Sequence, residues 1–164
     1  MLVYHYSEDS SIREFVPRMS RLGEPLVWAI DRWHAPLYWL PRDCPRVAFW
    51  PLPTTTAADL AQWWAPVSGR MVIVIEAAWL ERVRACELYA YSFDDPSFAP
   101  IHDHGVYVSR NTVRPCRLEP VGDLLAQLVA VGIELRITPS LLALGQIIRT
   151  TSLHFSLIRM RNAA

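Results

Sequence analysis

Residues Arg70 to Phe93 read RMVIVIEAAWLERVRACELYAYSF, and three different periods follow one another within them. Arg70 to Ile75 is a β-branched, apolar run, which predicts a strand covered on both faces and central in its sheet. In Glu76 to Cys86, Ala78, Leu80 and Val83 are spaced for one apolar helical face, and Glu81, Arg82 and Arg84 fall toward solvent. Glu87 to Phe93 alternates, with Leu88, Ala90 and Ser92 on one side and Tyr89, Tyr91 and Phe93 on the other. A buried strand, a helix and a half-buried strand in direct succession imply a mixed α+β chain.

The flanking sequence extends this pattern. Leu2 to Tyr6, Leu26 to Ile30, Arg46 to Trp50, Gly105 to Ser109 and Ile133 to Ile137 read as further strands. Ser7 to Phe15 reads as a capped turn or a single helical turn, stopped by Pro17. His34 to Leu40 fits a short helix that tolerates Pro36 in its first turn. Thr54 to Pro66, Pro120 to Val131 and Pro139 to Thr150 read as helices, with a hydroxyl cap at the first and Gly132 as the C-cap of the second. An apolar-basic tail follows. The expectation is one domain over residues 1–164, α+β, around a largely antiparallel sheet of about six or seven strands.

The chain has 164 residues, with sixteen basic and sixteen acidic side chains, so no net field favours nucleic acid or an anionic membrane. All sixteen basic residues are Arg, which excludes a Schiff-base lysine, a P-loop lysine and a lysine general base. Cys44, Cys86 and Cys116 are odd in number and widely spaced, as in a reducing cytoplasm rather than a disulfide framework. The opening MLVYHYSED lacks a basic segment and does not read as a signal peptide. No apolar run approaches the roughly 20 residues of a membrane helix.

Val27 to Arg46 (VWAIDRWHAPLYWLPRDCPR) concentrates aromatic rings, three Arg and three Pro around one His and one Cys. Rigid turns, apolar walls and forked guanidiniums suit a small-molecule or nucleotide site. In Arg42-Asp43-Cys44-Pro45-Arg46, Asp43 can pin one guanidinium and leave the other for an anion such as phosphate, or the group can simply clamp a loop. Cys44 between two Arg would be activated if exposed. His5, mid-strand between two tyrosines, either meets a ligand or is satisfied in the core. His102 and His104 would share one strand face and, with His5 or His34 as a third ligand, could hold a metal for hydrolysis. No GxSxG, GxGxxG or HExxH occurs, and the seven Trp lack the basic stripe of a nucleic-acid surface.

The order of elements resembles the ADP-ribosyltransferase-like fold. Tyr4-His5-Tyr6-Ser7 looks like its first-motif strand, Ser11 to Phe15 like the turn that follows, and Val27-Trp28-Ala29 like its second strand. His104 to Ser109, with Val113 and Pro115, is similar to a strand of the phosphotransferase branch of that fold. The chain departs from the pattern in having Asp103 or His104 where a catalytic Glu stands, and Trp28-Ala29 in place of a Ser or Tyr. The resemblance implies that His5 holds the ribose or a phosphate of NAD, that Trp28 and Tyr38 flank the nicotinamide, and that Arg42 or Arg110 meets the pyrophosphate, with Arg46 also among the cofactor-binding residues. In the phosphotransferase branch Arg residues instead of a Glu would carry the chemistry, and the catalytic candidates are His5, Ser109 and Arg110. The phrases YHxSED, VWAID, PRDCPR and EAAWLERxR also resemble an uncharacterised bacterial family. The expected function is thus ADP-ribosyl or phosphoryl transfer, with a non-catalytic binding module and a His102/His104 metallohydrolase as alternatives. A homodimer stays open.

Overall fold

The computed structural model describes residues 1–164. Its strands, in chain order, are β1 (Val3–Ser7), β2 (Arg18–Met19), β3 (Pro25–Ile30), β4 (Arg46–Trp50), β5 (Met71–Glu76), β6 (Tyr89–Phe93), β7 (Ala99–Pro100), β8 (Val106–Ser109), β9 (Arg117–Pro120), β10 (Ile133–Thr138) and β11 (His154–Ile158). The α-helices are α1 (Ala57–Asp59), α2 (Leu80–Ala85), α3 (Leu124–Ala130) and α4 (Leu142–Ile147). The chain divides into two compact units, Met1–Trp39 with Glu87–Gly122, and Leu40–Cys86 with Asp123–Ala164.

The first unit is a seven-stranded sheet in the order β7-β8-β3-β1-β6-β9, with β2 beside β3. Every pairing in it is antiparallel, as expected. Period-two alternation gives the sheet two faces. On one, Val3, Val27, Ala29, Tyr91 and Phe93 form a core with Phe98 and Val113, and Phe15 and Tyr107 pack against it. On the other, Ile30 and Val106 meet Ala35, covered by Tyr4, Tyr6, Trp28, Trp39 and Ile101.

The second unit is a four-stranded sheet in the order β10-β5-β4-β11. β5 is central and buried throughout, with β10 parallel on one side and β4 antiparallel on the other. Its core joins Val47, Phe49, Val72 and Val74 to Leu141, Ile148 and Leu153, with Trp63 and Trp64 packed against them. No helix is long and apolar enough to cross a membrane.

Several boundaries differ from the sequence reading, each for a physical reason. Ser7 to Phe15 holds no helical turn: Asp9 Oδ1 accepts from the Ser11 amide (2.8 Å) and hydroxyl (2.6 Å), and Tyr91 donates to the Asp9 carbonyl. Those side-chain bonds replace helical ones. The helix expected from Pro120 begins at Leu124, capped by Asp123, because Arg117–Pro120 pairs with β6 as an exposed edge strand. Helix α1 is capped by Thr56 and passes into a π-helical turn over Leu60–Trp64. The apolar-basic tail is β11, paired with β4 from His154↔Trp50 to Ile158↔Arg46. Gly132 closes α3 with a positive φ of 77°, as its C-cap position requires.

Candidate functional site

The end of β3 gives the first unit its most organised polar group. Ile30 is anchored in the aromatic face, and the chain then turns through Asp31, Arg32, Trp33 and His34 into a 3-10 turn over Ala35–Tyr38. Asp31 Oδ1 accepts from the His34 amide at 2.7 Å, which closes the turn that leads into it. The same carboxylate holds the imidazole, with Nδ1 at 2.9 Å from Oδ1 and 3.0 Å from Oδ2. A carboxylate accepts only, so the Nδ1 proton is fixed there and Nε2 is the ring nitrogen turned away from Asp31. The side chains are 13% and 30% exposed for His34 and Asp31, and the Trp33 ring crosses the imidazole edge-on at 4.5 Å.

Gly105 closes the other side. Its carbonyl accepts from the Asp31 amide at 2.8 Å, and its φ is +74°. A Cβ there would fall 2.0 Å from His34 Nδ1 and 2.9 Å from Asp31 Oδ2, so only glycine lets the turn approach the pair.

Beside the pair lies the aromatic face. Tyr4 and Tyr6 stack at 6.4 Å, and Trp39 meets Tyr6 edge-on at 6.2 Å. Burial pushes the Tyr6 phenol up to about 12, and the nearby Trp39 indole N–H opposes the rise without reaching hydrogen-bond geometry. That indole nitrogen is buried and has no hydrogen-bond partner. Buried donors are normally satisfied, and the acceptor that this N–H faces is the Tyr6 phenol, whose ionised form it favours. The Arg21 guanidinium lies over the Trp28 ring at 5.6 Å and pairs with Asp103 at 3.3 Å on the surface.

The residues singled out from sequence are not gathered at one place. Across β1 and β3 the register pairs Tyr4 with Ile30, so Tyr4, Tyr6 and Trp28 share a face and His5 projects from the other. There His5 stands 4.9 Å from the Phe15 ring, and its Nδ1–H donates to the Trp28 carbonyl at 2.9 Å. Ser109, paired in register with Val27, lies on the His5 side, 1% exposed; its hydroxyl lies 2.7 Å from that of Ser97 and accepts from the Asn111 amide. Arg110 is exposed and grips Glu24 with two bonds of 2.7 and 2.8 Å. Tyr38 is partly exposed on the 3-10 turn.

Arg42 and Arg46 belong to the second unit. Arg46 is 2% exposed and donates from one nitrogen to the carbonyls of Pro41 and Cys44, a loop clamp. Arg42 is exposed, and its carbonyl accepts from Arg159. Cys44 is fully buried, and burial pushes its thiol up to about 11 although Arg46 opposes this, so the expected activation does not occur. His102 and His104 lie exposed in the turn before β8 instead of on the strand, and no group of three His, Cys, Asp or Glu side chains is placed to hold a metal.

The Asp31–His34 pair lies inside the aromatic and Arg-rich stretch Val27 to Arg46. Its signal in the sequence is the i,i+3 spacing of an Asp and a His, which is common at helix starts and carries weight only once Gly105 is seen against it. No curated protein and no solved structure matches this chain. A family described as a family of unknown function, DUF6886, matches residues 4–163, nearly the whole length, and the chain belongs to that family.

Proposed function

We propose that this protein binds a nucleotide, NAD or an ADP-ribose-bearing molecule, on the aromatic face of the first unit, and that the Asp31–His34 pair is the acid–base group of an ADP-ribosyl or phosphoryl transfer. The carrying observation is an imidazole oriented by a carboxylate at the margin of a half-buried aromatic face. Trp28 and Tyr6 offer ring surface for a base, the Trp39 indole a buried donor, and Arg21 a cation for phosphate. In ADP-ribosyl transfer from NAD the bond between ribose C1′ and the nicotinamide nitrogen breaks, and nicotinamide leaves with the electron pair. C1′ bonds to an acceptor heteroatom whose proton passes to His34 Nε2, the imidazolium being stabilised by Asp31. His34 replaces His5 in this reading because His5 faces the opposite core. Three cysteines outside any disulfide accord with a reducing, cytoplasmic setting.

Calorimetric titration of NAD and of ADP-ribose tests the reading. Saturable binding should weaken more than tenfold, about 1.4 kcal/mol, in Trp28→Ala, and remain within twofold of wild type in His5→Ala. Asp31→Asn should keep binding and lose turnover of the bound ligand. No heat with millimolar ligand would sink the proposal.

A second reading, a binding module without turnover, is favoured by one observation. His5, Ser109 and Arg110 each serve structural hydrogen bonds instead of facing a common ligand. In that case Trp28→Ala abolishes binding and Asp31→Asn changes nothing else.

A further inference from the structure

In the second unit the chain passes from β11 into a short strap, Arg159–Ala164, that returns to the carboxyl end of β5. Its first residue, Arg159, is the one non-glycine residue with a positive φ, 54°, a conformation that costs an L-residue energy and turns the chain out of β11. The strap then forms a 3-10 turn over Met160–Asn162 and finishes extended, with Ala163 at φ −74°, ψ 144°.

What the strap reaches is unusual for a structural contact. Glu76 ends β5 and is 2% exposed, and a carboxylate is rarely buried without partners. Its Oε1 accepts from the Leu141 amide at 3.0 Å and from the Ala164 amide at 3.0 Å. Ser140 donates its hydroxyl to the Ala164 carbonyl. Ala164 is thus held by both of its main-chain polar groups, while the Met160 and Ala163 side chains before it pack against the core of the unit. Asn162 adds a 2.7 Å bond to the Asp43 carbonyl, and Arg159 a 3.1 Å bond to that of Arg42. Glu76 and Thr138 are paired neighbours at the carboxyl ends of β5 and β10, the one parallel pair of this mixed sheet.

We propose that the carboxyl end of β5 is a main-chain recognition site for a short peptide, filled here by the chain's own strap, which leaves by rotation about Arg159. Glu76 takes the amide of the incoming residue, Ser140 its carbonyl, and the Asp43 carbonyl a carboxamide two residues earlier. The inference is independent of the nucleotide reading, since every group it uses lies in the second unit.

The experiment uses the full chain and the peptide Arg-Met-Arg-Asn-Ala-Ala, the strap sequence, as probe. Ala164→Pro removes the amide donor, and the extended Ala163 accepts a following proline without strain. Combined with Asn162→Ala, it should open the site. The double variant should lose its strap to trypsin, after Arg159 or Arg161, at least tenfold faster than wild type, as followed by mass spectrometry. It should also bind the labelled peptide saturably, where wild type shows no saturable binding. Ser140→Ala should by itself speed strap removal about fivefold, the worth of one ordinary hydrogen bond. Strap removal at the wild-type rate overturns the proposal, as does a strap that is released without peptide binding, which would leave a purely structural clasp. If the double variant fails to show a cooperative thermal transition, Ser140→Ala takes both readouts: faster removal together with saturable peptide binding supports the site, and an unchanged rate or removal without peptide binding overturns it.

Discussion

Gly105 and His34 approach so closely that a Cβ on the glycine would stand 2.0 Å from the imidazole Nδ1. The contact joins the turn before β8 to the end of β3 and confines the ring against Asp31. Gly105→Ala should therefore destabilise the protein by more than the about 1–2 kcal/mol of a positive φ alone, because the ring must also move. Urea unfolding measures the loss, and a displaced His34 C2 proton resonance in the folded variant shows its cause. A variant as stable as wild type would contradict the close approach.

Two guanidiniums named together from sequence should behave in opposite ways. Arg110 makes two short bonds to Glu24, yet its side chain is 67% exposed, and Arg110→Ala should cost less than about 1 kcal/mol. Arg46 is buried with two loop carbonyls on one nitrogen, and Arg46→Ala should cost about 3 kcal/mol through a cavity and two orphaned acceptors. Chemical denaturation of both variants gives the comparison directly.

Cys44 should be inert and Cys116 reactive. Burial is the main cause that raises the Cys44 thiol from 9.0 to about 11; the Glu76 charge adds to it and Arg46 opposes it. The native state thus prefers the neutral thiol, so this contribution to stability is present below pH 9 and fades as pH rises toward 11. A thiol reagent at pH 8 should label exposed Cys116 at once and Cys44 only in denaturant, with peptide mass assigning each site. Early labelling of Cys44 would refute its placement.

Acid should loosen the base of α1. The Asp59 carboxyl is held below its ordinary 3.8 chiefly by the Ser152 hydroxyl, then by the Ser152 amide, with Thr56 adding a smaller share. A lowered folded value means that stability is present above pH 3.8 and is lost as pH falls below it. Asp59→Asn should melt lower than wild type at pH 7 and change less between pH 5 and pH 3. Parallel curves for the two proteins over that range would remove the carboxylate from the account.

Much of the architecture is legible along the chain. The β-branched run at Arg70 to Ile75 announces β5, the most deeply buried strand, and the alternation of Tyr89, Tyr91 and Phe93 announces the core face of β6. Edge strands are harder to see. Arg117–Pro120 is exposed at all four positions and has no apolar period to betray it, and β11 is half-buried along its length. Leu22 and Met19 are exposed although they read as apolar, because the hairpin that carries them lies at a margin of its sheet. The aromatic and Arg-rich stretch Val27 to Arg46 does contain the Asp31–His34 pair, but composition gave no reason to prefer it over His5, Arg42 or Arg46.

What the chain determines by itself is local: which residues extend, which coil, where Gly132 ends a helix, and that His5 opposes Tyr4 and Tyr6 within β1. These follow from steric preference and from the two-residue period of a strand. The tertiary structure alone decides which neighbour each face acquires. A slip of one residue between β1 and β3 would have put His5 beside Trp28; the Tyr4↔Ile30 register puts them on opposite sides. That register is fixed by burial of the core face and by hydrogen bonds between residues far apart in sequence, so no reading of one strand at a time can reach it.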